Sequence, residues 1–230
     1  MSRILFVFAL NYRSLFYGLR SFPMRILRLV LHLFPFVSHT KKLKPSSFSE
    51  WVFEIAFYIG DIFFLPEIYE VITAWLRGSI RNLTQEEKEL VYDFFKESID
   101  LHVVKVNRRL GAWEKKLARA YVSFNLINYN SSLPKSIFIH ECVHIWQYQQ
   151  FGSVYILRAL QAQRSKAGYD CGGVEALYSA MISRMSFMDF NFEQQGQIFE
   201  DYSSMILNKN DNVNHMNHAT YRYFVSEVSG

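Results

Sequence analysis

IFIHECVHIWQYQQFG, residues Ile137 to Gly152, sets two histidines four residues apart, with a glutamate directly after the first, in an otherwise apolar segment. Residues i and i+4 share one face of a helix, so a helix here aims the His140 and His144 imidazoles at one point. That is the bite a tetrahedral zinc ion accepts, at about 2.0–2.1 Å per Zn–N bond. Glu141 projects about 100° further round the helix, within reach of a water on the metal without being a ligand. There it is placed to act as general base on a water that the metal acidifies. Ile137, Phe138, Ile139, Val143, Ile145 and Trp146 surround the three polar groups. Burying such groups costs free energy unless something pairs with them, and the expected partner is Zn2+.

A catalytic zinc takes three protein ligands and keeps one position open. The extended motif with a third histidine ten residues after His140 is excluded, because Gln147, Gln150 and Phe151 occupy that stretch. The remaining source is a carboxylate from a later helix. Asn191 to Leu207 reads as that helix, with Phe192, Gln195, Ile198, Phe199 and Tyr202 as its packing residues. Glu193, near its start, is the favoured ligand. Glu200, two turns along, or Asp201 would orient a ligand histidine as a hydrogen-bond acceptor; Glu200 also reads as a solvated helix charge. Asp170 and Glu175 are further carboxylates, beside the loop signal Gly172–Gly173. Cys142 points away from the metal and reads as a core thiol. Gln147 is a candidate for the cleft wall, and Tyr169 and Tyr202 are candidate oxyanion stabilisers.

Outward from the motif, Pro134 suits the first turn of the helix, Ser131 and Ser132 are candidate caps, and Gly152 closes the far end. Thr84 and Glu87 form a capping box that opens a helix over 82–99. Leu101 to Val106 reads as a strand. Ala120 to Tyr129 reads as a second strand or a hairpin, with Tyr121, Ser123, Asn125 and Ile127 on one face and Val122, Phe124, Leu126 and Asn128 on the other. Its polar neutral residues suit an edge along which a peptide lies by β-augmentation. The fold class is therefore α+β, a small sheet with the motif-bearing helix.

Of the 25 Lys and Arg residues, eight fall in residues 1–49, where no acid occurs, leaving 17 basic and 21 acidic residues in the rest. The apolar run Ile4 to Leu10 is too short to span a bilayer. Arg25, Arg28 and His32 share one helical face, with Pro35 as the stop. Two readings of this segment stand side by side: a membrane-surface anchor, or a helix packed on the main domain with its arginines solvated. Lys41 to Ser49 reads as a linker. Trp51 to Trp75 reads as two amphipathic helices broken near Pro66, because Glu54, Asp61, Glu67 and Glu70 argue against a lipid-spanning helix. Two cysteines, Cys142 and Cys171, make no disulfide framework. No nucleic-acid-binding motif occurs. His215 and His218 lie in what reads as a polar tail.

The segments HECVHIWQYQ and FEQQGQIFEDY resemble the zincin metallopeptidase-like domain of bacterial proteins associated with Rhs/Vgr-type secretion and contractile-injection systems. The likeness spans about residues 95–205 and says nothing of 1–80. It also takes in IDLHVVKV, ARAYVSFNLINYN and the pair Trp146–Gln147. It implies His140, His144 and Glu193 as zinc ligands and Glu141 as the catalytic base. Cys142 inside the motif and Gly196 in the later helix depart from the family pattern, and neither is expected to touch the chemistry.

The expected organisation is a basic amphipathic helical segment (1–45), an apolar helical region packing on the main domain (46–80), a zincin-like domain (81–210) and a polar tail (211–230). The expected activity is zinc-dependent hydrolysis of a peptide or protein substrate, in the cytoplasm or at a membrane periphery through residues 1–49, with a secreted effector as an alternative location. The rival reading is a non-catalytic or vestigial zinc domain serving as an interaction part of a bacterial secretion or toxin system.

Overall fold

The computed structural model describes residues 3–34, 45–110, 119–130, 132–208 and 215–230. Three helices come first: α1 (Arg3–Leu33), α2 (Phe48–Ile62) and α3 (Leu65–Leu76). A mixed region follows, with β1 (Ile80–Asn82), α4 (Gln85–Phe95), β2 (Lys105–Asn107), β3 (Ala120–Ser123) and β4 (Leu126–Tyr129). Five helices complete it: α5 (Lys135–Phe151), α6 (Val154–Arg164), α7 (Gly173–Ile182), α8 (Phe192–Leu207) and α9 (His215–Ser229). The chain is α+β, mostly helical, with one small mixed sheet.

The capping box forms as expected: the Thr84 hydroxyl accepts from the Glu87 amide at 3.2 Å, and the Glu87 carboxylate accepts from the Thr84 amide at 2.8 Å. The helix starts later than expected because Ile80–Asn82 is drawn into antiparallel pairing with β2. The strand expected over Leu101–Val106 is cut short. Asp100 accepts the His102 amide at 3.1 Å, an Asx turn that competes with extended backbone, so pairing begins only at Lys105.

The sheet order is β1-β2-β4-β3, with β4 parallel to β2 and antiparallel to β3. Ala120–Tyr129 is a hairpin turning at Phe124–Asn125, where Phe124 takes a left-handed φ of 60°. That turn corrects the expected faces. Cross-strand partners share a face, so Val122 lies with Ile127, and Ser123 with Leu126. β4 is buried along its length while β3 forms the edge.

Helix α5 is the centre of the molecule, buried from Phe138 to Tyr148. Pro134 stands just before its first turn, and no side chain caps it; Ser132 does not, and Ser131 lies outside the described residues. Gly152 ends it at φ 79°, donating its amide to the Tyr148 carbonyl at 2.8 Å. One flank packs on α8, where Phe199 stacks on Phe95 at 4.7 Å, both rings fully buried. Each such ring stabilises the fold by about 1.5–3 kcal/mol.

Two expectations about the chain ends are corrected. The presumed polar tail carries α9, whose Phe224, Val225 and Val228 enter the core. At the other end, Ile4–Leu10 and the Arg25 face belong to a single 31-residue helix that runs through Pro23. Pro35 and Lys41–Lys44 lie outside the described residues. Arg25 is not solvated: it grips Glu67 through both terminal nitrogens, at 2.5 and 3.0 Å, and donates to the Asp61 carbonyl at 2.6 Å. Arg28 donates to the Gln149 carbonyl at 2.8 Å.

The break between α2 and α3 falls at Phe63–Phe64, just before Pro66, as expected. The two helices face inward with their carboxylates. Glu70 meets Lys105 at 2.6 Å and the Asn125 amide at 3.0 Å. Glu54 meets Arg158 at 2.6 Å, and Asp61 accepts the Ser153 amide at 2.9 Å. The attachment of α1–α3 to the sheet, α5 and α6 thus combines buried ion pairs and hydrogen bonds with an apolar contact of Val7, Leu10 and Ala74 on Ile80 and Leu126. No helix among the described residues is long and apolar enough to cross a membrane.

Candidate metal centre

Glu193 sits at the start of α8 because Asn191 caps that helix, its side chain accepting from the Glu193 and Gln194 amides at 2.9 and 2.8 Å. The lengthwise contact of α8 with α5 then brings Glu193 against both motif histidines. Its Oε2 lies 3.4 Å from His140 Nε2 and 3.5 Å from His144 Nε2. Among the described residues, one potential ligand atom from each of these three groups lies within 4.8 Å of the others.

The outer ring nitrogens are held from behind. Glu200 Oε2 lies 3.1 Å from His140 Nδ1. Gln147 Oε1 lies 2.8 Å from His144 Nδ1. The Gln147 amide nitrogen donates to the Phe192 carbonyl and to Gln195 Oε1, both at 2.9 Å, leaving Oε1 to accept from the ring. Gln195 is fixed in turn by donating to the Phe190 carbonyl at 3.0 Å. Both Nδ1 atoms therefore carry a proton, and both Nε2 atoms turn toward Glu193.

This is a poor arrangement for a closed hydrogen-bond network and a good one for a cation. Glu193 Oε2 and Glu141 Oε2 are buried atoms with no hydrogen-bond partner, which is rare unless something else satisfies them. Glu193 Oε1 is held by Gln163 at 2.8 Å. Two imidazoles and a carboxylate are a donor set that zinc takes in hydrolytic sites, and the residues fit it. Burial alone would depress His140, yet Glu193 and Glu200 outweigh it and push the ring up to about 10. Burial would raise Glu193, but the two histidines hold it far below the usual carboxylate range. Glu141 is raised, chiefly by burial.

The group opens on a cleft of about 820 Å³. One wall is β3, the other α6 through Ile156, Ala159 and Leu160, and His140, Glu141 and His144 form the floor. Tyr169 lies 5.9 Å from the His140 ring, its hydroxyl pushed up to about 12, by burial first and then by Glu193 and Glu141.

Neither a protein-family model, a curated protein nor a solved structure matches the chain.

Several sequence candidates lie elsewhere. Asp201 faces Gln197 and Tyr221, Tyr202 packs on Phe94 and His218, and Asp170 and Glu175 are exposed. Cys142 is in the core, its thiol raised well above its ordinary value by burial. Gln147 does not line the cleft; it is fully buried behind His144. Gln163 went unread, since an amide on a surface-patterned helix carries no sequence signal. The expectation that Gly196 does not touch the chemistry is overturned. A Cβ there would lie 2.6 Å from His140 Cε1 and Nε2, so any other residue must displace the ring from its place against α8. A glycine inside an otherwise regular helix, which weakens it by about 1 kcal/mol, was the signal available.

Proposed function

We propose that the protein is a zinc-dependent hydrolase of the zincin type, acting on peptide bonds. The observation that carries this reading is the orphaned Glu193 Oε2, facing the Nε2 atoms of two imidazoles, together with a second orphaned carboxylate oxygen on Glu141. His140, His144 and Glu193 would hold the metal. Zinc bound there supplies Lewis acidity, acidifying water and polarising a carbonyl.

Glu141 performs the proton transfers. Its carboxylate, desolvated and with its pKa raised by burial, takes a proton from water on the cleft side and delivers it to the departing amine. Tyr169, a hydroxyl kept protonated by its surroundings, donates toward oxygen charge developing beside His140. The edge strand β3 supports a peptide substrate, because its outer backbone groups offer an extended chain a strand to pair with across the cleft floor.

Elemental analysis together with cleavage of a random peptide library tests the reading. We expect one zinc per chain, cleavage by the parent, and a Glu141→Gln variant that keeps its zinc but loses turnover. Bound zinc with no cleavage would favour the non-catalytic interaction domain, and wild-type turnover in Glu141→Gln would remove the assigned base.

A further inference from the structure

The helices α2 and α3 are built inside out. All five carboxylates in residues 48–76 (Glu50, Glu54, Asp61, Glu67 and Glu70) are buried, whereas the exposed positions are apolar apart from Ser49 and the Tyr69 hydroxyl. Phe48, Val52, Phe53 and Ile59 face outward on α2, and Leu65, Ile68, Ile72, Trp75 and Leu76 on α3. On α1, Phe8, Leu15, Phe16, Leu19, Ile26 and Leu27 continue this surface while Asn11, Ser14 and Arg25 point in. Elsewhere the pattern is the ordinary one: α4 exposes Gln85, Glu86, Glu89 and Asp93. A soluble surface rarely exposes a contiguous apolar patch beyond a few hundred Å². Charges compensated internally beneath an apolar exterior are what a hydrocarbon environment selects.

We propose that α1–α3 form a lipid-seated layer that embeds in one leaflet of a bilayer and holds the cleft at the membrane surface. Charge favours lipid over a second copy of the chain. Residues 1–49 hold eight basic residues and no acid, and the exposed charges of α1 among the described side chains are Arg13 and Arg20, seven residues apart on one side. Two such faces would repel each other, while anionic headgroups attract both arginines. The depth is one leaflet, because α2 with 15 residues and α3 with 12 are each shorter than the roughly 20 residues that span the hydrocarbon core, and α1, though 31 residues long, is not apolar enough to cross it. The layer also carries the cleft. Tyr69 of α3 reaches Ser123 of β3 at 3.5 Å, and Glu54 of α2 pairs with Arg158 of α6, so both cleft walls rest on it.

Flotation of the full chain with vesicles of phosphatidylcholine alone, or with phosphatidylglycerol added, tests this, and is run in chelator so that it is independent of metal and hydrolysis. We expect the chain to float, more strongly with the anionic lipid. A Phe53→Glu/Ile72→Glu variant, altered only at exposed positions, should lose about tenfold or more of the bound fraction. Brominated acyl chains should quench parent fluorescence, and Trp75→Phe should remove part of that quenching. A chain left unbound by both vesicle types overturns the proposal. So does a stable oligomer that the same two substitutions dissociate, which would mean that a second copy covers the face.

Discussion

Gly196 of α8 supports the His140 ring across a gap in which a side-chain carbon would sit 2.6 Å from two ring atoms. Alanine at this position is the better helix former by about 1 kcal/mol, yet its methyl group must push the imidazole off α8. We expect Gly196→Ala to stay folded by circular dichroism while zinc affinity falls about 10–100-fold, read by competition with a chromophoric chelator. Parent affinity in that variant would show that the ring is not where the metal needs it.

The hydrogen-bond line from the Phe190 carbonyl through Gln195 and Gln147 fixes the His144 tautomer. Gln147→Leu removes the acceptor at Nδ1 without removing bulk. Zinc titration should show a loss of about 10–100-fold. Gln147→Glu keeps an oxygen facing the ring but turns its second oxygen toward the Phe192 carbonyl and Gln195 Oε1, so it should recover only part of the loss.

Metal binding should depend on pH in a defined sense. In the metal-free fold His140 is raised to about 10. Its contribution to stability is then fully present below the unfolded value of about 6.5 and lost as pH rises through the folded value. Zinc must displace that proton, so its affinity should rise with pH, about tenfold per unit for each proton released. Calorimetric titration in buffers of different ionisation enthalpy counts the protons, and none released at neutral pH would contradict the assignment.

Arg25 and Glu67 are both buried, and removing one leaves the other uncompensated. Arg25→Met should therefore destabilise by about 3–5 kcal/mol, a fall in melting temperature of the order of 10 °C. Arg25→Met/Glu67→Leu should regain much of that loss, because neither charge then remains in the interior. Thermal unfolding by circular dichroism measures both.

The candidate site was legible because its chemistry is local. The spacing of His140, Glu141 and His144 within one turn fixes their relative directions wherever a helix forms, and the helix read over Asn191 to Leu207 put Glu193 in view as a third donor. The capping box at Thr84, the break before Pro66 and the glycine stop at Gly152 were legible for the same reason: each depends on neighbours a few residues away. The polar tail was misread because the apolar stripe of α9 becomes meaningful only against the core that receives it.

What the sequence determined by itself is a helix with two imidazoles on one face, a glutamate beside them and a short list of distant carboxylates. Only the tertiary structure brought Glu193 against both imidazoles, laid Gly196 beneath His140, and turned the carboxylates of α2 and α3 inward with their apolar faces out. Those choices depend on which surfaces meet across tens of residues. A helical repeat states which residues share a face; the contacts formed in folding decide whether that face meets protein or its surroundings.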